Sequence, residues 1–275
     1  MRELEQANAL IAALAERMAP HLARRPTNPV RVGVDVGTAN VVSVALDADG
    51  TPLAGEITPA RVVREGMIVD YVGAVEIVRR QANSLRERLG IELTRGASAI
   101  PPGTEAGNAK VTRHVLEAAG LEVTAIVDEP TAAARVLGIS DGAVVDAGGG
   151  TTGISVLRDG QVIYAADEPT GGIHLDLVIA GRFGISTEEA EARKRSSEEQ
   201  PGLLPIVRPV MEKIATIVRR HTAGYRVEAV YLVGGTCAFT GFKRVMEEEL
   251  DLPVYLPVYP LLVTPLGIAM SCAGW

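Results

Sequence analysis

The sequence predicts an α/β fold built twice over, and three observations carry that prediction. Apolar runs of strand length alternate with longer amphipathic segments of helical period along most of the 275 residues. The run Ala143 to Leu157 ends a first apolar stretch in Asp146, crosses Gly148, Gly149, Gly150, Thr151 and Thr152, and enters a second apolar stretch. The run Val32 to Leu46 has the same design, with Asp35, Gly37 and Thr38 at its centre. Each copy continues into an Asp-Gly dipeptide, Asp49-Gly50 or Asp159-Gly160, which is a hairpin signal, and then into a further strand. A unit of this length is too long for a solenoid repeat, so the chain reads as a duplicated domain with two turns facing one cleft.

Both turns have the chemistry of a phosphate cradle. Glycine removes the Cβ atoms that would keep a ligand away from the backbone and permits positive φ. Successive N–H groups in such a turn form a nest for an anion. Thr38, Thr151 and Thr152 add hydroxyl donors. An aspartate at the strand end faces phosphate only through a cation. Mg²⁺ is the expected bridge, since it keeps several waters and takes one or two carboxylates.

The elements follow in order. Residues 2–22 form an amphipathic helix with Leu4, Ala7, Ile11, Leu14 and Met18 on one stripe, and a polar linker runs from His21 to Pro29. This stripe either packs on its own domain or docks into an assembly, and docking is slightly favoured. Residues 30–58 hold the first strands. Tyr71 to Leu89 is helical, with Tyr71, Ala74, Val75, Val78, Ala82, Leu85 and Leu89 on one face. Ala97 to Ile100 is a strand stopped by Pro101-Pro102-Gly103, and a helix from Ala106 to Ala119 leads to strand Val123 to Val127. Asp128-Glu129-Pro130-Thr131 opens a short alanine-rich helix that Gly138 ends, with Pro130 in the first turn, where proline is tolerated.

The second half repeats the alternation. Asp167 to Gly172 is a loop, and Ile173 to Arg182 a helix. Ser186 or Thr187 caps the next helix, which is acidic at its start and basic at its end, as the helix dipole favours. Leu203, Val207, Val210, Ile214 and Ile217 mark a buried stripe on another helix. Ala229 to Val233 is a fully apolar strand running into Gly234-Gly235-Thr236. Phe242 to Leu250 is a helix, Val254 to Leu256 an edge strand, and the last helix lies near Leu266 to Ala273.

Composition limits the function classes. A net charge of −7 argues against nucleic acid as partner, because phosphate-backbone binding needs basic surface. No apolar run is long enough to span a bilayer, and no signal-peptide core follows Met1. Only Cys237 and Cys272 occur, far apart, which fits a reducing cytoplasm and buried small side chains rather than a disulfide framework.

Five segments together resemble the actin-like (ribonuclease H-like) ATPase superfamily, which holds actin, sugar kinases and the heat-shock chaperone ATPase domain. Val34 to Thr38 looks like the first phosphate loop, Val127 to Gly138 like the first connecting segment, and Val145 to Thr151 like the second phosphate loop. Leu232 to Thr236 looks like the adenosine loop, and Thr264 to Ala269 like the second connecting segment. Within that superfamily the chain resembles the EutJ family of ethanolamine utilisation over roughly residues 30–270. The carrying runs are Gly66 to Arg80, Ile100 to Thr104, Ala166 to Gly172 and Glu188 to Glu191.

The resemblance implies two lobes around a nucleotide cleft, lobe I being about residues 30–140 with 263–275 and lobe II about 141–262, with residues 1–29 as helix and linker and most inserted subdomains lacking. It implies ATP or ADP with Mg²⁺. Asp35 and Asp146 would stand on the hydrated ion, and Glu129 would orient water. Gly37, Thr38, Gly148, Gly149, Gly150, Thr151 and Thr152 would meet the phosphates. Gly234, Gly235 and Thr236 would meet adenosine, and Glu191 with Lys194 the ribose and adenine. His174 matches a position near the phosphates, with a structural role equally compatible. Gly153 and Ala238 depart from the heat-shock pattern, which carries an aspartate and an arginine there, so nucleotide binding is expected ahead of fast hydrolysis. The implied role is a chaperone-like accessory for the cobalamin-dependent ethanolamine ammonia-lyase or for microcompartment assembly. It would act in the cytoplasm or with a bacterial microcompartment, and a homodimer is compatible. A nucleotide-switched scaffolding relative of actin and a small-metabolite kinase are the competing readings.

Overall fold

A computed structural model describes residues 2–26, 29–64, 66–102 and 106–272. The chain divides into two compact units, one of Met1–Ile139 with Pro257–Trp275, the other of Ser140–Leu256.

The first unit starts with helix α1 (Arg2–Arg17) and then three strands, β1 (Arg31–Val36), β2 (Asn40–Leu46) and β3 (Pro52–Pro59). A hairpin of β4 (Val63–Arg64) and β5 (Met67–Ile68) precedes helix α2 (Tyr71–Leu89). Strand β6 (Arg95–Ile100), helix α3 (Ala106–Ala118), strand β7 (Glu122–Asp128) and helix α4 (Glu129–Leu137) follow. The sheet order is β3-β2-β1-β6-β7, with β1, β6 and β7 parallel and the β1-β2-β3 meander antiparallel. The apolar stripe of α2 lies buried against β2 and β3, as its period predicts, with Ala74, Val78 and Leu85 at its centre. Tyr71 is the exception. It is exposed, and its hydroxyl donates to the His114 carbonyl at 3.2 Å. Gln81 is buried on the same helix because its polar atoms are taken by Ser43, Thr58 and the Val41 carbonyl.

The second unit repeats the plan. It holds β8 (Gly142–Ala147), β9 (Thr152–Arg158), β10 (Gln161–Glu168), α5 (Gly172–Phe183), α6 (Thr187–Arg195), α7 (Gln200–Thr222), β11 (Val230–Val233), α8 (Phe242–Leu250) and β12 (Val254–Tyr255). The order β10-β9-β8-β11-β12 carries the same directions as the first sheet. The duplication extends to register. Asp35 opposes Val42 in one sheet, Asp146 opposes Gly153 in the other, and a constant shift of 111 residues relates the two pairs. Leu203, Val207, Ile214 and Ile217 of α7 are buried in the core with Val145, Ile154 and Leu232, and Pro205 and Pro209 lie within the helix on its outer side.

The chain then returns to the first unit through helix α9 (Val263–Met270). Its backbone presses on two neighbours. A Cβ on Gly267 would lie 1.9 Å from the Ala132 carbonyl oxygen of α4, and one on Gly33 would lie 2.3 Å from the Ala269 nitrogen. Glycine at both positions is what lets α9 fit between α4 and β1. The helix begins at Val263 rather than near Leu266, since Pro265 falls in its first turn, where a missing N–H costs nothing. Ala273 and the Gly103-Thr104 part of the run after Ile100 lie outside the described residues.

The docking role expected for the N-terminal helix loses its free surface. Ala7, Ile11 and Leu14 are 3%, 0% and 0% exposed, and the helix packs on β3, where Gly55 leaves room for the Met18 thioether. Arg88 donates to the Arg17 and Ala19 carbonyls at 2.8 and 3.1 Å, and the Asn8 side chain accepts from the Val258 N–H at 2.9 Å. The reason is simple: the outer face of a sheet strand needs a cover, and α1 supplies it from its own chain.

Candidate functional site

In each unit the glycine turn and the acids Asp35, Glu129 and Asp146 sit at the C-terminal edge of the parallel strands, the edge where open α/β sheets take ligands. In the first unit β1 brings Asp35 to this edge, and β7 delivers Asp128 and Glu129 to the start of α4. Asp128 is the cap of that helix. It accepts from the Thr131 N–H at 2.9 Å and the Thr131 hydroxyl at 2.8 Å. Glu129 is the first helical residue and half-buried. In the turn after β1 the Gly37 N–H donates to the Asn40 carbonyl at 3.0 Å, with Thr38 between them.

The second unit builds the same turn. The Gly148 N–H donates to the Thr151 carbonyl at 3.0 Å, across Gly149 and Gly150. Asp146 lies at the end of β8 and is 8% exposed. Beside it, Gly234 adopts φ of +89°, and a Cβ there would lie 2.4 Å from the Asp146 Oδ1. Only glycine lets the carboxylate and the loop after β11 share this space. Gly235 is exposed, whereas Thr236 is buried and donates its hydroxyl to the Gly148 carbonyl at 2.7 Å.

Two assignments change on these contacts. Thr152 is wholly buried and donates to the Thr170 carbonyl at 2.6 Å, so its hydroxyl braces the turn from beneath rather than facing a phosphate. Thr236 likewise joins the loop after β11 to the phosphate turn. His174 accepts the Gly171 N–H at 3.1 Å at the start of α5. On α6, which Ser186 caps, Glu191 pairs with Arg195 at 2.6 Å and Lys194 turns to Asp176. Cys237 is fully buried with its thiol on the Val233 carbonyl, and burial pushes its pKa well up; Cys272 is buried beside Thr124.

Over 244 residues the chain is 44% identical to the ethanolamine utilization protein EutJ of Salmonella typhimurium, spanning 88% of this chain and 86% of that one. The chain belongs to the EutJ family. The crystal structure of the ethanolamine utilization protein EutJ from Carboxydothermus hydrogenoformans superposes with a TM-score of 0.93 at 45% identity, covering 98% of this chain and 99% of that one. A family model described as type IV pilus assembly protein PilM matches residues 109–259. MreB 5 of Spiroplasma citri bound to AMPPNP shares the fold, with a TM-score of 0.73 at 17% identity over 89% of this chain and 96% of that one. The EutJ fold is therefore actin-like.

The residues fit a hard cation held mainly by water. Among the described residues no group of three His, Cys, Asp or Glu side chains gathers to hold a metal. A carboxylate at a strand end beside a glycine turn supplies the one or two protein ligands that Mg²⁺ takes.

One acid escaped the sequence reading. Asp167 lies on β10 and Asp146 on β8, and both oppose Gly153 of β9, so the two carboxylates share a face with only a glycine between them. Burial pushes the Asp167 carboxyl up to about 6, against the pull of a hydrogen bond from Thr151, and the charge of Asp146 adds to the rise. The strand β10 continues through Asp167 to Glu168, where the sequence suggests a loop from Asp167 on. A carboxyl with a raised folded pKa holds a proton that the unfolded chain has released, so stability falls as pH rises from about 4 through 6. A shift of two units bounds the effect near 3 kcal/mol, and partial exposure reduces it to about 1–2 kcal/mol. Asp167→Asn is expected to raise the melting temperature at pH 8 and leave it unchanged at pH 4. An equal shift at both pH values would assign the effect to packing instead.

Proposed function

We propose that this EutJ-family chain binds ATP or ADP with Mg²⁺ and uses the bound nucleotide to act on a protein of the ethanolamine-degrading system. The observation that carries the reading is the pair of Asp-x-Gly turns with one register and one internal hydrogen bond, each at the C-terminal edge of its sheet. In this reading the N–H groups of Thr38 and of Gly149 and Gly150 meet phosphate oxygens. The Thr38 and Thr151 hydroxyls add donors, and Gly234 with Gly235 offers bare backbone to the adenosine. Asp35 and Asp146 hold water on the cation, which neutralises phosphate charge. Glu129 is the acid that orients a water.

The client is the ethanolamine ammonia-lyase or a microcompartment protein, and the role is chaperone-like, in the cytoplasm or with the microcompartment. The family supports the system, and the resemblance to heat-shock ATPases supports the mode of action.

Calorimetric titration with ATP, ADP and GTP, each with and without Mg²⁺, tests the reading. Asp146→Ala is expected to weaken Mg-ATP binding by about tenfold or more and metal-free ATP much less, because its carboxylate acts through the cation. Equal losses with and without Mg²⁺ would remove that role, and absence of binding by the unaltered protein would overturn the nucleotide reading itself.

A further inference from the structure

The turn of the second unit is held from behind. The Gly148 carbonyl accepts from the Gly172 N–H at 3.0 Å and from the Thr236 hydroxyl at 2.7 Å, and the Gly149 carbonyl accepts from the Ile173 N–H at 2.8 Å. In a trans peptide the carbonyl of one residue points opposite to the N–H of the next. Fixing the carbonyls of Gly148 and Gly149 on the start of α5 therefore aims the N–H groups of Gly149 and Gly150 away from that helix. The anion nest of this unit is set by where α5 begins.

The start of α5 is in turn held by side chains, with His174 on the Gly171 N–H and Lys194 on the Gly172 carbonyl. The Lys194 ammonium donates to the Gly172 carbonyl at 3.1 Å and lies 2.7 and 2.8 Å from the two carboxylate oxygens of Asp176, one turn along α5. Both side chains are enclosed, at 17% and 7% exposure. Burial pushes the Asp176 carboxyl up in spite of the neighbouring ammonium, so the pair forms against a desolvation cost. Gly172 is the hub. A Cβ there would meet the Thr236 hydroxyl at 2.7 Å and the Lys194 ammonium at 3.4 Å. Replacing a buried ion pair by apolar residues of the same shape is often neutral or stabilising, so stability alone does not account for this pair.

We infer that Lys194 is a positioning residue for phosphate recognition, acting through Gly172 on the Gly148 to Gly150 turn, rather than a direct contact to ribose or adenine. The inference rests on the nucleotide reading above and reassigns one residue within it. Its partner on the same helix face, Glu191, pairs with Arg195.

The test uses Lys194→Met, Asp176→Asn and the double variant Lys194→Met with Asp176→Leu, which removes the charges together and keeps the fold where a single change does not. Binding of inorganic tripolyphosphate, adenosine and ATP, all with Mg²⁺, is measured by calorimetry, and amide exchange is followed at Gly172 and Ile173. The expected result is a loss of about tenfold or more for tripolyphosphate and ATP in all three variants, unchanged adenosine binding, and faster exchange at both amides. Loss of adenosine binding with tripolyphosphate unaffected would overturn the inference in favour of direct nucleoside contact. Unchanged exchange at Gly172 and Ile173 would overturn it as well. If the unaltered protein binds neither tripolyphosphate nor ATP, the nucleotide reading fails, while the exchange measurement still decides whether Lys194 sets the turn.

Discussion

Gly267→Ala is expected to destabilise the first unit by more than about 3 kcal/mol, the upper part of the range for overpacked cores. The added methyl would lie 1.9 Å from the Ala132 carbonyl oxygen, a backbone atom that no rotamer change can move aside. Relief requires α9 to withdraw from α4, which also breaks the hydrogen bond from Arg135 to the Ser271 hydroxyl at 2.7 Å and uncovers Ile268 and Cys272. At about 2–4 °C per kcal/mol for a domain of this size, the melting temperature should fall by 6 °C or more, roughly. A variant that melts like the unaltered protein would mean that the two helices separate at little cost.

Deletion of residues 1–28 should have an effect of similar size. Ile11 and Leu14 are fully buried, and withdrawing two such side chains costs about 3–6 kcal/mol before the freed helix regains its entropy. The deletion also exposes β3 and strands the Arg88 guanidinium, which loses the Arg17 and Ala19 carbonyls and keeps Glu56 and the Gly55 carbonyl. Thermal melts of the shortened chain should show a fall of about 6–10 °C. No fall, with co-purification of a lyase or shell protein lost, would restore the docking role.

Local chemistry made much of this legible. The Asp-Gly hairpin at Asp159 and Gly160 shows φ of +52° and +73°, the pair of left-handed residues its dipeptide signals. Asp128 caps α4 and Gly138 ends it at φ of +65°, both readable from residue type. The stripe of α1 was readable too, but a stripe does not name its partner, and β3 emerged only from the packing. The hairpin of β4 and β5, two residues a side, is too short to show a period. Asp176 looked like an ordinary polar residue on a helix, because nothing local reveals that Lys194, eighteen positions on, encloses it. Thr152 and Thr236 were legible as hydroxyls near the site, and the direction in which each points is a tertiary fact.

The return of α9 to the first unit has a consequence for biosynthesis. Residues 140–256 form one compact unit from a continuous stretch of chain, so all of its elements are made together. The first unit is split, and the helix that fills the space between α4 and β1 is translated only after the whole of the second unit. At synthesis rates of about 5–20 residues per second, the groove lined by Gly33, Ala97, Ala99 and Ala132 stays uncovered for roughly 6 s or longer after β7 and α4 have emerged. The nascent chain then carries an unfinished first unit while the second is still being made, a window in which the protein would itself be a client for holding chaperones.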